Sequence, residues 1–115
     1  MSVLTQSILE SVKTGLGGLM PDDDTFDEEL ITDINTVFFK LSQLGVGPDE
    51  PYYIEDKTSV WEHFDEHVGK ILAVKNYMIA EVKLIFDPPT SVAVKEALIH
   101  TRDEYEWRLM NNKKG

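Results

Sequence analysis

The chain predicts an all-α fold, a small bundle of about four to five helices with a long ordered loop after the second helix, and three observations lead there. Apolar residues recur at helical spacing in four segments. Gly or Pro stands at each junction, and capping signals stand at the head of several segments. At 115 residues the whole is expected to form one domain, with residues 110–115 as a flexible tail.

Leu4, Ile8, Leu9, Val12 and Leu16 share one side of a first helix, which "TGLGG" ends. Thr25 and Glu28 then have the spacing of a capping box, and six acids between Asp22 and Glu29 sit near the positive end of the next helix. A calcium loop is disfavoured there, because no Gly at the sixth position and no distal Glu fall in register. The second helix is expected from about Phe26 to Leu44, with Phe26, Leu30, Ile31, Ile34, Val37, Phe38, Leu41 and Leu44 on its stripe and Gly45 as its stop. Phe39 falls on the polar side, so another part of the chain caps it or a partner does.

"GVGPDEPYYIEDK" reads as an ordered loop with room for one brief strand. Ser59 and Glu62 suggest a second capping box on a short connector that Gly69 ends. From about Lys70 to Phe86 apolar residues surround nearly the whole helix, which must therefore be covered on most sides. Three partner helices are a thin cover, and self-association would complete it. Asp87, Pro88 and Pro89 then force a sharp corner, and Thr90 or Ser91 caps the last helix. That helix carries Val94, Ala97, Leu98, Thr101, Tyr105 and Leu109 on a main stripe. Val92, Ile99 and Met110, with Trp107 not far off, form a second side, and two apolar faces imply two neighbours.

Acids outnumber bases 21 to 11, giving a net charge of -10 that disfavours phosphate backbones as ligands. Cysteine is absent, so disulfides and thiolate metal sites are excluded. "MSVLTQSILESVK" lacks the pattern of a signal peptide, and Lys75, Asn76, Glu81 and Lys83 interrupt the longest apolar stretch, so a soluble protein of the cytoplasm is expected, with no membrane partner.

The sharpest catalytic pattern is "HFDEH", His63 to His67, an H-x-x-E-H match in which two histidines four apart on a helix could hold zinc with Glu66 as base. A third ligand at the usual downstream distance would overrun the chain, so these read as surface histidines, with His100 alone on the last helix. "GLGG" lacks the trailing Lys and Ser or Thr of a phosphate loop, and no nucleophile has a recognisable setting. No catalytic, metal or cofactor residue is assigned.

Four strings in order, "INTVFFKLSQLGVGP", "DKTSVWEHF", "VKNYMIAEVKLIFDPPTS" and "YEWRL", resemble the head-tail connector, or adaptor, proteins of tailed phages and prophages. The resemblance implies a non-enzymatic virion protein, present in the host cytoplasm during assembly. It implies a homo-oligomeric ring beneath the portal protein that extends the DNA channel and offers a platform to stopper or tail-completion proteins. DNA would pass through without sequence-specific binding. On the matched segments Asp87, Pro88 and Pro89 form the corner, with Trp61 and Trp107 as anchors. The candidate interface is Phe39, Trp61, Val92, Ile99, Trp107 and Met110. The alternative, resting on net charge and the Asp22 to Glu29 acids, is a small regulator that binds a basic partner or mimics DNA.

Overall fold

The computed structural model describes residues 2–17, 19–20 and 22–111. Helices α1 (Ile8–Leu16), α2 (Asp27–Gln43), α3 (Val68–Phe86) and α4 (Val92–Asn111) are accompanied by two 3-10 turns, Val3–Thr5 before α1 and Trp61–His63 between α2 and α3. The all-α expectation holds, and among the described residues the β structure is confined to an isolated bridge between Ser7 and Val60. Of the expected tail, Met110 and Asn111 are still helical, and residues 112–115 lie outside the described residues.

The first helix is divided where the sequence suggests continuity. Leu4 belongs to the 3-10 turn, and Ser7 adopts extended backbone (φ -63, ψ 132) while its hydroxyl accepts from the Glu10 N–H at 3.2 Å to cap α1. Extension at that point lets the chain pair with residues 59–61: the Ile8 N–H donates to the Ser59 carbonyl at 3.0 Å, and the Trp61 N–H to the Gln6 carbonyl at 3.3 Å. A helix through Gln6 and Ser7 would lose both bonds.

Neither expected capping box forms. The Thr25 N–H and hydroxyl both donate to the Asp23 carboxylate, at 3.0 and 2.6 Å, which makes a local turn and leaves Phe26 at the head of α2 without a side-chain cap. Those two bonds hold the Asp23 carboxyl below the usual carboxylate range. Lys13, buried on α1, donates to the Asp23 carbonyl at 2.6 Å and to the Asp27 carboxylate at 2.8 Å, tying the acidic segment to the core. At the second predicted box the Val60 N–H donates to His63 Nδ1 at 3.3 Å, so the cap is supplied by histidine and not by Ser59. Gly69 does not end a helix but lies in the first turn of α3, with open space around the position of a Cβ.

The loop after α2 is ordered by two devices. Gly45 takes positive φ (81), which lets the Val46 N–H return to the Leu41 carbonyl at 2.9 Å and buries Val46. Further on, the Asn35 side chain donates to the Ile54 carbonyl at 3.0 Å and accepts from the Ile54 N–H at 2.8 Å. The brief strand allowed for this segment is therefore replaced by a side chain that serves as its hydrogen-bonding partner. Beneath the loop Phe38, Tyr52, Trp61 and Phe64 pack with ring centroids 5.0 to 6.4 Å apart. Gly47 completes the fit: its φ is 101, and a Cβ there would lie 2.5 Å from the Phe64 ring.

Helix α3 crosses the middle of the molecule and buries Ile71, Val74, Tyr77, Met78 and Val82 against α1 and α2. Its cover is incomplete, since Val68, Leu72 and Ile85 stay exposed. At its end Asp87 leaves the helical region (φ -148, ψ 67), Pro88 and Pro89 prevent continuation, and the Ser91 hydroxyl accepts from the Val94 N–H at 3.4 Å. The corner folds α4 back along α3, its main packing partner.

Candidate assembly surface

The main stripe predicted for α4 is only partly buried. Leu109 is covered and Leu98 and Tyr105 are half-buried, but Val94, Ala97 and Thr101 are exposed. Apolar packing therefore accounts for only part of the attachment, and a polar seam supplies the rest.

Glu81, buried on α3, is the centre of that seam. It accepts from Lys40 of α2 at 2.8 Å and from Arg102 of α4 at 2.5 Å, with the Tyr77 hydroxyl 3.5 Å away. That hydroxyl donates to Glu106 of α4 at 3.0 Å, and Lys40 reaches the same Glu106 at 3.8 Å. Three helices are thus joined by five side chains, and no buried polar side-chain atom among the described residues is left without a partner. Burial first, then the neighbouring carboxylates of Glu81 and Glu106, push the Tyr77 phenol far above its ordinary range, so it stays a donor. Partial burial acts to lower the Arg102 pKa, but its bonds to Glu81 and Asp103 outweigh this and raise it.

Sequence reasoning did not find this seam. The available signal was Glu81 itself, the one acid in a largely apolar helix whose other charges are lysines, four residues after Tyr77; on α4, Arg102 and Glu106 repeat the four-residue spacing. Lys40, Tyr77, Glu81 and Glu106 all lie within the strings that carry the family resemblance.

With one side held in this way, α4 presents another outward. Val92, Ile99 and Met110 fall within about 20° of one another at about 100° per residue, and Trp107 lies about 60° away. Val92 is 71% exposed, Trp107 66% and Met110 43%, while Ile99 is half-buried. Phe39 is 54% exposed but belongs to α2. Trp61 requires correction as an interface candidate: it is fully buried, and its indole N–H donates to the Ser11 hydroxyl at 3.1 Å. It is an anchor of the interior because the Ser7 to Val60 pairing and the 44–60 loop close over it.

The histidines of "HFDEH" do not share a helix face. His63 ends a 3-10 turn and bonds Val60, whereas His67 stands at the head of α3 with its ring 2.7 Å from the Asp65 carboxylate. Among the described residues no group of three or more His, Asp or Glu side chains is placed to hold a metal ion. Burial works to raise the Asp65 carboxyl, but hydrogen bonds from His67 and the charge of Lys70 hold it below its ordinary value.

Fold and surface together define a small all-helical protein whose unsatisfied feature is an apolar helix face. A family model described as phage connector protein matches residues 8–115, nearly the entire chain, and the protein belongs to that family. No match was found among curated proteins or among solved structures. Membership gives the chain a structural connector role as a phage virion component, in agreement with the resemblance read from the four strings. Among the described residues no helix is long and apolar enough to cross a membrane.

Proposed function

We propose that this protein is the head-tail connector that forms a homo-oligomeric ring beneath the portal, extends the DNA channel and presents a platform to stopper or tail-completion proteins. The observation that carries this reading is the outward face of α4, where Val92, Trp107 and Met110 stand exposed on a helix that the Glu81 seam fixes in place. A rigid apolar face of this kind gains when a second surface removes it from water, at about 25 cal/mol per Å². The net charge of -10 supports a channel component as well, since a wall that attracted phosphates would retard the genome. Assembly would begin in the host cytoplasm and end at the head-tail interface of the virion.

The regulator or DNA-mimic reading has less support, because Asp23 and Asp27 of the acid cluster are engaged internally, by Thr25 and Lys13. Electron microscopy of portal particles from the encoding phage, with and without the purified protein, tests the proposal. An added ring of density below the portal is expected; portal images unchanged by a large excess of protein would overturn it.

A further inference from the structure

The outer side of α3 carries a trough that the polar seam and the core do not use. Two adjoining hollows of about 640 and 380 Å³ meet at Gly15 and Ile79. Lys75, Ile79 and Lys83 of α3 line the floor, α1 forms one wall, and Val94 and Leu98 of α4 lie on the other. Gly15 sets the depth, because a Cβ there would fall 2.4 Å from the Ile79 side chain and push α1 away. Glu10 is the one acid of the lining, and it belongs to the hollow that holds Lys75. Lys83 is already bonded to Asp87 at 3.1 Å, but Lys75 meets the Gln6 amide oxygen at a weak 3.5 Å and forms no ion pair among the described residues.

The outward face of α4 has the opposite character. Between Val92 at one end and Trp107 and Met110 at the other, Glu96 and Asp103 fall on the same side of the helix, within about 40° of the Val92 and Met110 line. It is an apolar helix face with acids between its apolar ends, whereas the trough has bases and Ile79 on its floor, Val94 and Leu98 on its α4 wall, and the small polar Ser11 and Thr14 on its α1 wall. The charges are complementary, yet the two surfaces lie on different sides of α4 and cannot meet within one chain.

We propose that the trough of one copy receives the outward face of α4 of the next, with Trp107 as the buried anchor and Lys75 opposite Glu96 or Asp103. This rests on the ring reading above and adds which two surfaces join the subunits. Such a contact is head-to-tail, so every copy keeps one free trough and one free helix face until the ring closes. An exposed Trp is the residue type that dominates contacts of this kind.

The absence of cysteine makes the test direct. The double variant Ile79→Cys, Met110→Cys is assembled on portal particles of the encoding phage, oxidised and run on a non-reducing gel. A ladder of covalent oligomers is expected, whereas either single variant stops at dimer or below. Rings visible by electron microscopy without a ladder overturn this interface and leave the ring reading intact; absence of rings with the unmodified protein removes both. Because Ile79→Cys touches the Gly15 contact, a second arm uses charge alone. Lys75→Glu is expected to lower ring occupancy roughly tenfold, and Glu96→Lys or Asp103→Lys in the same chain to restore it. An unaffected ring, or a loss that neither change repairs, overturns the pairing.

Discussion

The aromatic cluster under the 44–60 loop and the α4 arm are held by opposite means. Around Trp61, Phe38, Tyr52 and Phe64 water is excluded and shape decides the fit, down to a glycine at position 47. Along α4 a network of five charged and polar side chains fixes the helix, and much of its apolar surface stays wet. The two tryptophans mark the extremes, Trp61 fully buried and Trp107 two-thirds exposed. The difference teaches that the first region serves the stability of the chain, whereas the second has apolar area left to serve association.

Substituting Trp61 breaks this comparison most severely. Trp61→Ala is expected to cost about 4 kcal/mol, because it leaves a large cavity among three other rings and removes the indole bond to the Ser11 hydroxyl. Urea denaturation read by circular dichroism checks it. Next in size is Glu81→Ala, which leaves the half-buried Arg102 with Asp103 alone and removes the bond from Lys40, for an expected loss of about 2–3 kcal/mol. Hydrogen exchange should then show α4 losing protection while the aromatic cluster keeps its own; equal losses in both would show that the regions are not distinct.

Tyr77→Phe sharpens the comparison through pH. The folded chain holds the Tyr77 proton more tightly than the unfolded chain does, so this contribution is complete below the ordinary phenol value of 10.0 and is lost as pH rises above it. The variant should cost about 1 kcal/mol at neutral pH for its bond to Glu106 and should decline less steeply in alkali. Tyr52, also raised by burial, preserves part of the slope. The smallest effect is expected from Trp107→Ala, within about 0.5 kcal/mol for the isolated chain. The same substitution should abolish ring assembly on portal particles, which would separate stability from association at a single residue.

Much of the fold was legible. The C-terminal ends of α2 and α3 and the Asp87, Pro88, Pro89 corner follow from residues that restrict their own backbone, so local sequence suffices. The errors share a cause. Thr25 and Ser59 have capping-box spacing, but Asp23 takes the Thr25 N–H that Glu28 would need, the second cap is shifted one residue on to Val60 and His63, and Ser7 is extended because residues some fifty positions away pair with it. Of the candidate surface, the outward face of α4 could be read from periodicity, whereas Trp61 could not be told from Trp107 because exposure depends on what else folds over a residue.

By itself the sequence determined the helical class, the acidic charge, the proline corner and the family to which the chain belongs. These depend on residue identity and near-neighbour spacing. Only the tertiary structure decided that Trp61 lies inside, that Glu81 joins three helices and that a trough remains along α3. Each of these is a relation between segments distant in the chain, fixed by which surfaces water leaves when the helices come together.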